Sequence, residues 1–127
     1  MIERIREVLR GERKVVFAYL YGSYVRNKRY AKDIDIAIFV KGRPSLSFER
    51  KLGLKISKIV GKDVEVVTLN DKPLLFISEV LRNCRLVFSR DERTRIDYET
   101  RMLSRIQDFN ELMKEYDSKR FERYGVG

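Results

Sequence analysis

The sequence contains no histidine and a single cysteine, Cys84, among its 127 residues. Without histidine, no Ser-His-Asp triad, no Cys-His pair and no imidazole-based zinc site can form. One cysteine cannot form an internal disulfide bond, which suits a reducing cytoplasm. Any catalysis must therefore use carboxylates, lysines, hydroxyls, backbone amides or a hard metal ion held by oxygen ligands.

Long apolar runs are also missing. No segment approaches the roughly 20 apolar residues of a membrane span, and the N-terminal stretch MIERIREVLRG lacks the apolar region of a signal peptide. We therefore expect a cytoplasmic protein with no membrane partner. Lysine and arginine outnumber aspartate and glutamate by 28 to 19, a net charge of +9. This excess favours anionic partners such as nucleotides, nucleic acid or an acidic protein, and a generally basic, solvated surface explains it equally well.

Apolar periodicity predicts an α/β or α+β fold with one sheet flanked by helices. The predicted strands are 14–21, 33–40, 63–69 and 85–89. A short helix begins near Ile2 and stops at Gly11. A second helix, closed by Gly61, has the apolar face Leu52, Ile56, Ile59 and Val60. We expect a single domain, 1–127, with a core of 1–90 and a helical extension of 91–127.

Two further helices complete the pattern. Asn70 or Asp71 is predicted to cap a helix that has Pro73 in its first turn. Its apolar stripe is Phe76, Ile77, Val80 and Leu81. A long charged helix is predicted from about Asp91 to Arg120. Its predicted buried face is Ile96, Leu103, Ile106, Phe109, Leu112, Met113 and Tyr116.

Two aspartates interrupt the second predicted strand, DIDIAIFV. Because side chains alternate along a strand, Asp33 and Asp35 share one face, within roughly 7 Å of each other. Like charges at that distance repel, and Mg²⁺ is a cation that accepts such a pair. Glu65 repeats the anomaly among the valines of the third strand. The alternative is structural: Asp33 begins an edge strand, Asp35 faces solvent and Glu65 pairs with a lysine.

Gly22 and Ser23 follow the first predicted strand. A glycine there lets the backbone approach a ligand closely, and the next amides and the serine hydroxyl can contact phosphate. A simple turn glycine is the commoner explanation of such a pair in isolation. A phosphate-binding role becomes the better interpretation of the pair when an Asp-x-Asp motif follows it at a fixed distance.

Together, GSYVRNKRYAKDID and VEVV resemble the signature of nucleotidyltransferases of the DNA polymerase β-like superfamily. The resemblance is strongest to the minimal nucleotidyltransferases, the MNT or MntA-like proteins, and it covers most of the chain. Four features depart from that pattern. The spacer of nine residues is one shorter than usual, Asn27 replaces a glycine, Lys32 replaces a serine, and the third acid is Glu65 rather than aspartate.

The resemblance implies the nucleotidyltransferase fold, with a small mixed sheet of about four strands and a long C-terminal helix, and a role for each motif residue. Asp33, Asp35 and Glu65 would ligate two Mg²⁺ ions, and Glu65 would help to deprotonate the acceptor hydroxyl. Gly22 and Ser23 would hold the β- and γ-phosphates of ATP. Arg26, with Lys28, would neutralise triphosphate charge, although a solvated loop position explains Arg26 nearly as well. AMP would be transferred and pyrophosphate released.

The resemblance also implies a partner, because MNT proteins are often antitoxins that adenylylate a tyrosine of a HEPN-type RNase toxin. Two alternatives stay open: a binding-only antitoxin, and a transferase acting on a small molecule or RNA. A helical stripe of Lys51, Lys55, Lys58 and Lys62 could meet RNA or an acidic partner, but such stripes are more often solvated. A protein acceptor is favoured over nucleic acid, and we expect the far end of the long helix to help hold it. The alternative stays open that this helix folds back, or breaks near Asp117 and Ser118, and buries its apolar face against its own domain.

Overall fold

The computed structural model describes residues 1–27 and 32–124 of the chain. Five helices and four strands follow one another in these residues. They are α1 (Ile2–Arg10), β1 (Val15–Tyr21), α2 (Ser23–Arg26), β2 (Asp33–Val40), α3 (Leu46–Val60), β3 (Asp63–Thr68), α4 (Leu74–Arg82), β4 (Arg85–Ser89) and α5 (Glu92–Tyr124). Among the described residues, none of the helices combines the length and the apolar character that a membrane-spanning segment needs.

The four strands form one mixed sheet in the order β3-β2-β1-β4. β1 pairs antiparallel with β2 and β4, whereas β2 pairs parallel with β3. The continuous apolar run of β1 is explained by its central position, since both faces of this strand are covered. The predicted mixed sheet of about four strands with flanking helices and a long C-terminal helix is confirmed.

Helices cover both faces of the sheet. On one face, Ile34, Ile36 and Ile38 of β2 pack with apolar residues of α1 and α3. On the other face, Phe17, Ala37 and other residues pack against α4 and the first part of α5. Tyr98 of α5 lies against both Phe17 and Phe39, with ring centroids 5.4 and 5.2 Å apart. Asp33 and Asp35 share this second face but lie at the start of β2, before the residues that α4 and α5 bury.

The buried face predicted for the long helix is partly wrong. Within residues 92–120, the buried side chains are Tyr98 and Met102, while Ile96 and Leu103 are more than half exposed. Leu112, Met113 and Tyr116 are also exposed, because the sheet ends well before the helix does. Ile59, assigned to the apolar face of α3, is 40% exposed.

The predicted helix cap at Asn70 or Asp71 is also wrong. Pro73 precedes the first residue of α4, and no side chain caps that helix. Asn70 instead bonds to the backbone of Val40: its amide nitrogen donates to the carbonyl oxygen at 2.8 Å, and its Oδ1 accepts from the amide at 3.1 Å. Asn70 thereby extends the pairing of β2 beyond the end of β3.

Candidate active site

Gly22 makes the turn from β1 into α2 with a left-handed φ of 77°. A side chain would be strained there, and a Cβ atom would lie only 2.7 Å from Oδ2 of Asp35. Glycine is therefore required for two reasons, the backbone conformation and the close approach of the carboxylate. The exposed Ser23 follows directly and begins α2. The fold thus brings the Gly-Ser pair beside the second aspartate of the Asp-x-Asp motif.

The three candidate carboxylates lie on neighbouring strands. Asp35 is paired in register with Glu65 on the parallel strand β3, and with Tyr21 on the antiparallel strand β1. Asp33 and Glu65 are exposed and Asp35 is half-buried. Among the described residues other than Lys62, no lysine or arginine forms an ion pair with these three acids. The structural alternative in which Glu65 pairs with a lysine therefore gains no support from this part of the chain.

The electrostatics of the site follow from this arrangement. Partial burial, and then the negative charges of Glu65 and Asp33, raise the pKa of Asp35 above its ordinary value. Burial raises the pKa of the Tyr21 hydroxyl as well, with further contributions from Asp35 and Glu65. Tyr21 consequently remains a protonated hydrogen-bond donor at neutral pH. The site concentrates negative charge that a bound cation would relieve.

A cavity of about 300 Å³ opens beside these residues. Gly22, Ser23, Arg26 and Asp35 line it, so the structure brings together four of the predicted site residues. Tyr21, Glu79 and Asn83 also line it, and the sequence analysis missed all three. No local signal marks Glu79 and Asn83, because they reach the cavity only through the packing of α4. Lys28 lies outside the described residues.

The donor chemistry of the site fits magnesium. Carboxylate oxygens on adjacent strands are the ligands that this hard cation prefers. Asp33, Asp35 and Glu65 are the residues that would hold it. Within residues 1–27 and 32–120, however, no three acidic, cysteine or histidine side chains already form a closed ligand cluster. Ligation would therefore require the exposed side chains of Asp33 and Glu65 to turn toward the ion.

Comparison of the sequence with models of known protein families identifies the family of the chain. The model of the family described as "Polymerase beta, Nucleotidyltransferase" matches residues 3–93, which span the whole sheet and every candidate site residue. The chain belongs to this nucleotidyltransferase family. The search among curated proteins found no match.

Solved structures share the fold of this nucleotidyltransferase. One is the structure of a tri-AMPylated Shewanella oneidensis HEPN toxin in complex with an MNT antitoxin. Its TM-score is 0.71 and its identity 19%, and the match covers 94% of this chain and 95% of the matched chain. Another is a toxin–antitoxin structure with AMP-PNP, with a TM-score of 0.74, 19% identity, and coverage of 94% and 98%. At this level of identity, the likeness establishes the fold only.

Proposed function

We propose that this protein is a Mg²⁺-dependent nucleotidyltransferase that transfers AMP from ATP to a tyrosine hydroxyl of a HEPN-type RNase toxin, and so acts as its antitoxin. The observation that carries the proposal is the in-register pair of Asp35 and Glu65 beside the glycine turn at Gly22. The solved toxin–antitoxin structures that share the fold support the choice of nucleotide and partner, since one contains AMP-PNP and another an AMPylated toxin.

Each candidate site residue has a distinct role in the proposed reaction. The turn at Gly22 and the hydroxyl of Ser23 would hold the outer phosphates, and Arg26 at the edge of the cavity would offset their charge. Asp33, Asp35 and Glu65 would hold Mg²⁺, which stabilises charge on the attacking and leaving oxygens when bound. Tyr21, protonated at neutral pH, can donate a hydrogen bond to the carboxylates or to a phosphate oxygen.

The chemical step is an in-line displacement. The acceptor oxygen forms a new bond to the α-phosphorus, and the bond between that phosphorus and the bridging oxygen of the β-phosphate breaks. The electron pair leaves with pyrophosphate. Glu65 lies on β3, the edge strand of the sheet. It takes the proton of the acceptor hydroxyl, directly or through water.

The far end of α5 is the surface we propose for holding the toxin. Met102, Ile106, Phe109, Met113 and Tyr116 follow one another at alternating spacings of four and three, which places them on one seam of the helix. The seam is buried at Met102, half-buried at Phe109 and exposed at Met113 and Tyr116. An apolar seam that continues beyond its own domain is typical of a protein interface.

Pyrophosphate release tests this function. We expect release that requires ATP, Mg²⁺ and the HEPN-type protein together, and that disappears in an Asp33→Asn, Asp35→Asn double variant. Release that needs no protein partner would favour the alternative acceptors, a small molecule or RNA. A toxin that is neutralised without any release would favour the binding-only antitoxin.

A further inference from the structure

The cavity beside Gly22 has a side to which the proposed reaction gives no role. Glu79 and Asn83 of α4 form this side, whereas Ser23 and Arg26 belong to α2. The volume of about 300 Å³ is in the range of small-molecule sites in proteins. Residues of two different helices can therefore contact two different parts of one bound nucleotide.

The packing of α4 determines where its two cavity residues lie. The ring of Phe76 meets that of Tyr21 edge-on, with centroids 6.2 Å apart, and Val80 is fully buried. Glu79 and Asn83 follow Phe76 by three and seven residues, which places them on the same side of the helix as this contact. The helix therefore presents both side chains to the cavity that Tyr21 lines.

The charge of Glu79 selects the part of the nucleotide that it can contact. An ionised carboxylate only accepts hydrogen bonds, and it repels the oxygens of a phosphate. The donors that a nucleotide offers are its sugar hydroxyls and the amino group of its base. The sugar is attached directly to the phosphates, so it is the nearer of the two when Ser23 and Arg26 hold the phosphates. Dinucleotide-binding folds use an acidic residue in the same way, as an acceptor for a ribose hydroxyl.

The carboxylate of Glu79 is available for such a ligand. Its side chain is 71% exposed, and its Oε1 lies 3.8 Å from the guanidinium of Arg82, which is longer than a hydrogen bond. An exposed ion pair of this kind contributes little to stability. Glu79 can therefore turn toward a sugar at little cost.

We propose that Glu79 determines specificity for the sugar, because its carboxylate accepts hydrogen bonds from the ribose hydroxyls of the nucleotide. This proposal rests on the proposed transferase function. In this arrangement α2 holds the outer phosphates and α4 holds the sugar, so the two helices together orient the α-phosphate. The protein would consequently prefer ribonucleoside triphosphates to deoxyribonucleoside triphosphates.

Calorimetric titration of the full-length protein tests the proposal. The ligands are ATP, 2′-deoxy-ATP and 3′-deoxy-ATP, with Mg²⁺ present and the acceptor protein left out. We expect the wild type to bind ATP about fivefold more tightly than at least one deoxy analogue, and Glu79→Ala to bind all three alike. Glu79→Gln keeps an acceptor oxygen and should retain part of the preference. The ratio of affinities is the informative quantity, since removing a negative charge from the cavity affects all three triphosphates equally.

Glu7→Ala is the matched control. Glu7 also pairs with an arginine three residues away, Arg10, but it lies on α1 at the other face of the sheet, and its loss should leave the ratio unchanged. Equal binding of the three nucleotides by the wild type would overturn the proposal. A wild-type preference that survives in Glu79→Ala would overturn it as well, because Glu79 would then contact the base, the metal or the phosphates. A wild-type protein that binds none of the three contradicts the proposed function itself.

Discussion

Gly22 and Asp35 lie so close together that a single methyl group at Gly22 would lie 2.7 Å from the carboxylate. Gly42 has the same φ of 77°, but a Cβ atom there would meet nothing within 4 Å. Gly42 is therefore a comparison position that has a positive φ but no contact with the site. Alanine substitutions at the two glycines can therefore be compared to measure the effect of the contact between Gly22 and Asp35 on stability.

We predict that Gly22→Ala lowers the free energy of unfolding more than Gly42→Ala does. Gly22 combines φ 77° with ψ −152°, a conformation that is essentially confined to glycine, so alanine costs about 1–3 kcal/mol there in backbone strain alone. Only Gly22→Ala also displaces Asp35. Chemical denaturation measures both values. In an Asp35→Ala background the cost of Gly22→Ala should fall by the part that the carboxylate causes; an unchanged cost would mean that Asp35 does not contribute to it. Gly22→Ala should also weaken AMP-PNP binding, whereas Gly42→Ala should not.

We predict that Asp33→Asn combined with Asp35→Asn abolishes Mg²⁺-dependent nucleotide binding while the fold stays intact or becomes more stable. Calorimetric titration of Mg²⁺ with AMP-PNP measures the first effect, with Asp108→Asn on α5 as the control. A metal titration identical to that of the wild type would contradict the assignment of these aspartates.

The gain in folding stability that Asp35→Asn produces over the wild type should depend on pH. The folded protein raises the pKa of Asp35, so it binds the proton more tightly than the unfolded chain does. The resulting penalty is absent below the ordinary aspartate pKa and complete above the raised one. We therefore expect Asp35→Asn to gain stability over the wild type as pH rises from about 4 to 7 in the absence of metal. Saturating Mg²⁺ should reduce this gain in stability. A gain that is the same at every pH would contradict an unfavourable environment for the charged form of Asp35.

Much of this site could be predicted from sequence because strand periodicity is short and regular. The alternation of Asp33, Ile34, Asp35 and Ile36 determines which side chains share a face, and the bounds predicted for β2 agree with the structure. Glu79 and Asn83 could not be predicted, since their place depends on where α4 packs against the sheet. The wrong face for α5 has a similar cause: apolar residues occur on several sides of this helix, and only tertiary packing selects Tyr98 and Met102.

We predict that ATP stabilises the protein more than GTP, CTP or UTP does in the presence of Mg²⁺. The preference is expected from the family resemblance and from the AMP-PNP and AMPylated structures that share the fold. Thermal-shift measurements with the four nucleotides at equal concentration would rank them. A clear preference for another base would reject ATP as the substrate without affecting the site assignment.

We predict that removing the chain after Asn110 leaves a folded domain that binds AMP-PNP but no longer binds or modifies the toxin. The cut keeps Tyr98 and Met102, which are buried, and Phe109, which is half-buried, and it removes a stretch whose described side chains are all exposed. A shorter fragment that ends at Arg105 would also lack Phe109 and should be less stable. Unfolding of the longer fragment would show that the end of α5 belongs to the core, and undiminished toxin binding would place the interface elsewhere.

Mass spectrometry of the partner tests the central claim most directly. The intact protein is incubated with ATP, Mg²⁺ and a candidate HEPN-type RNase partner, and the mass of the RNase is then recorded. The account predicts one or more additions of the mass of AMP, located on tyrosine, that are absent with the Asp33→Asn, Asp35→Asn variant. An RNase that is neutralised but keeps its original mass would contradict the transferase and leave a protein that acts by binding alone.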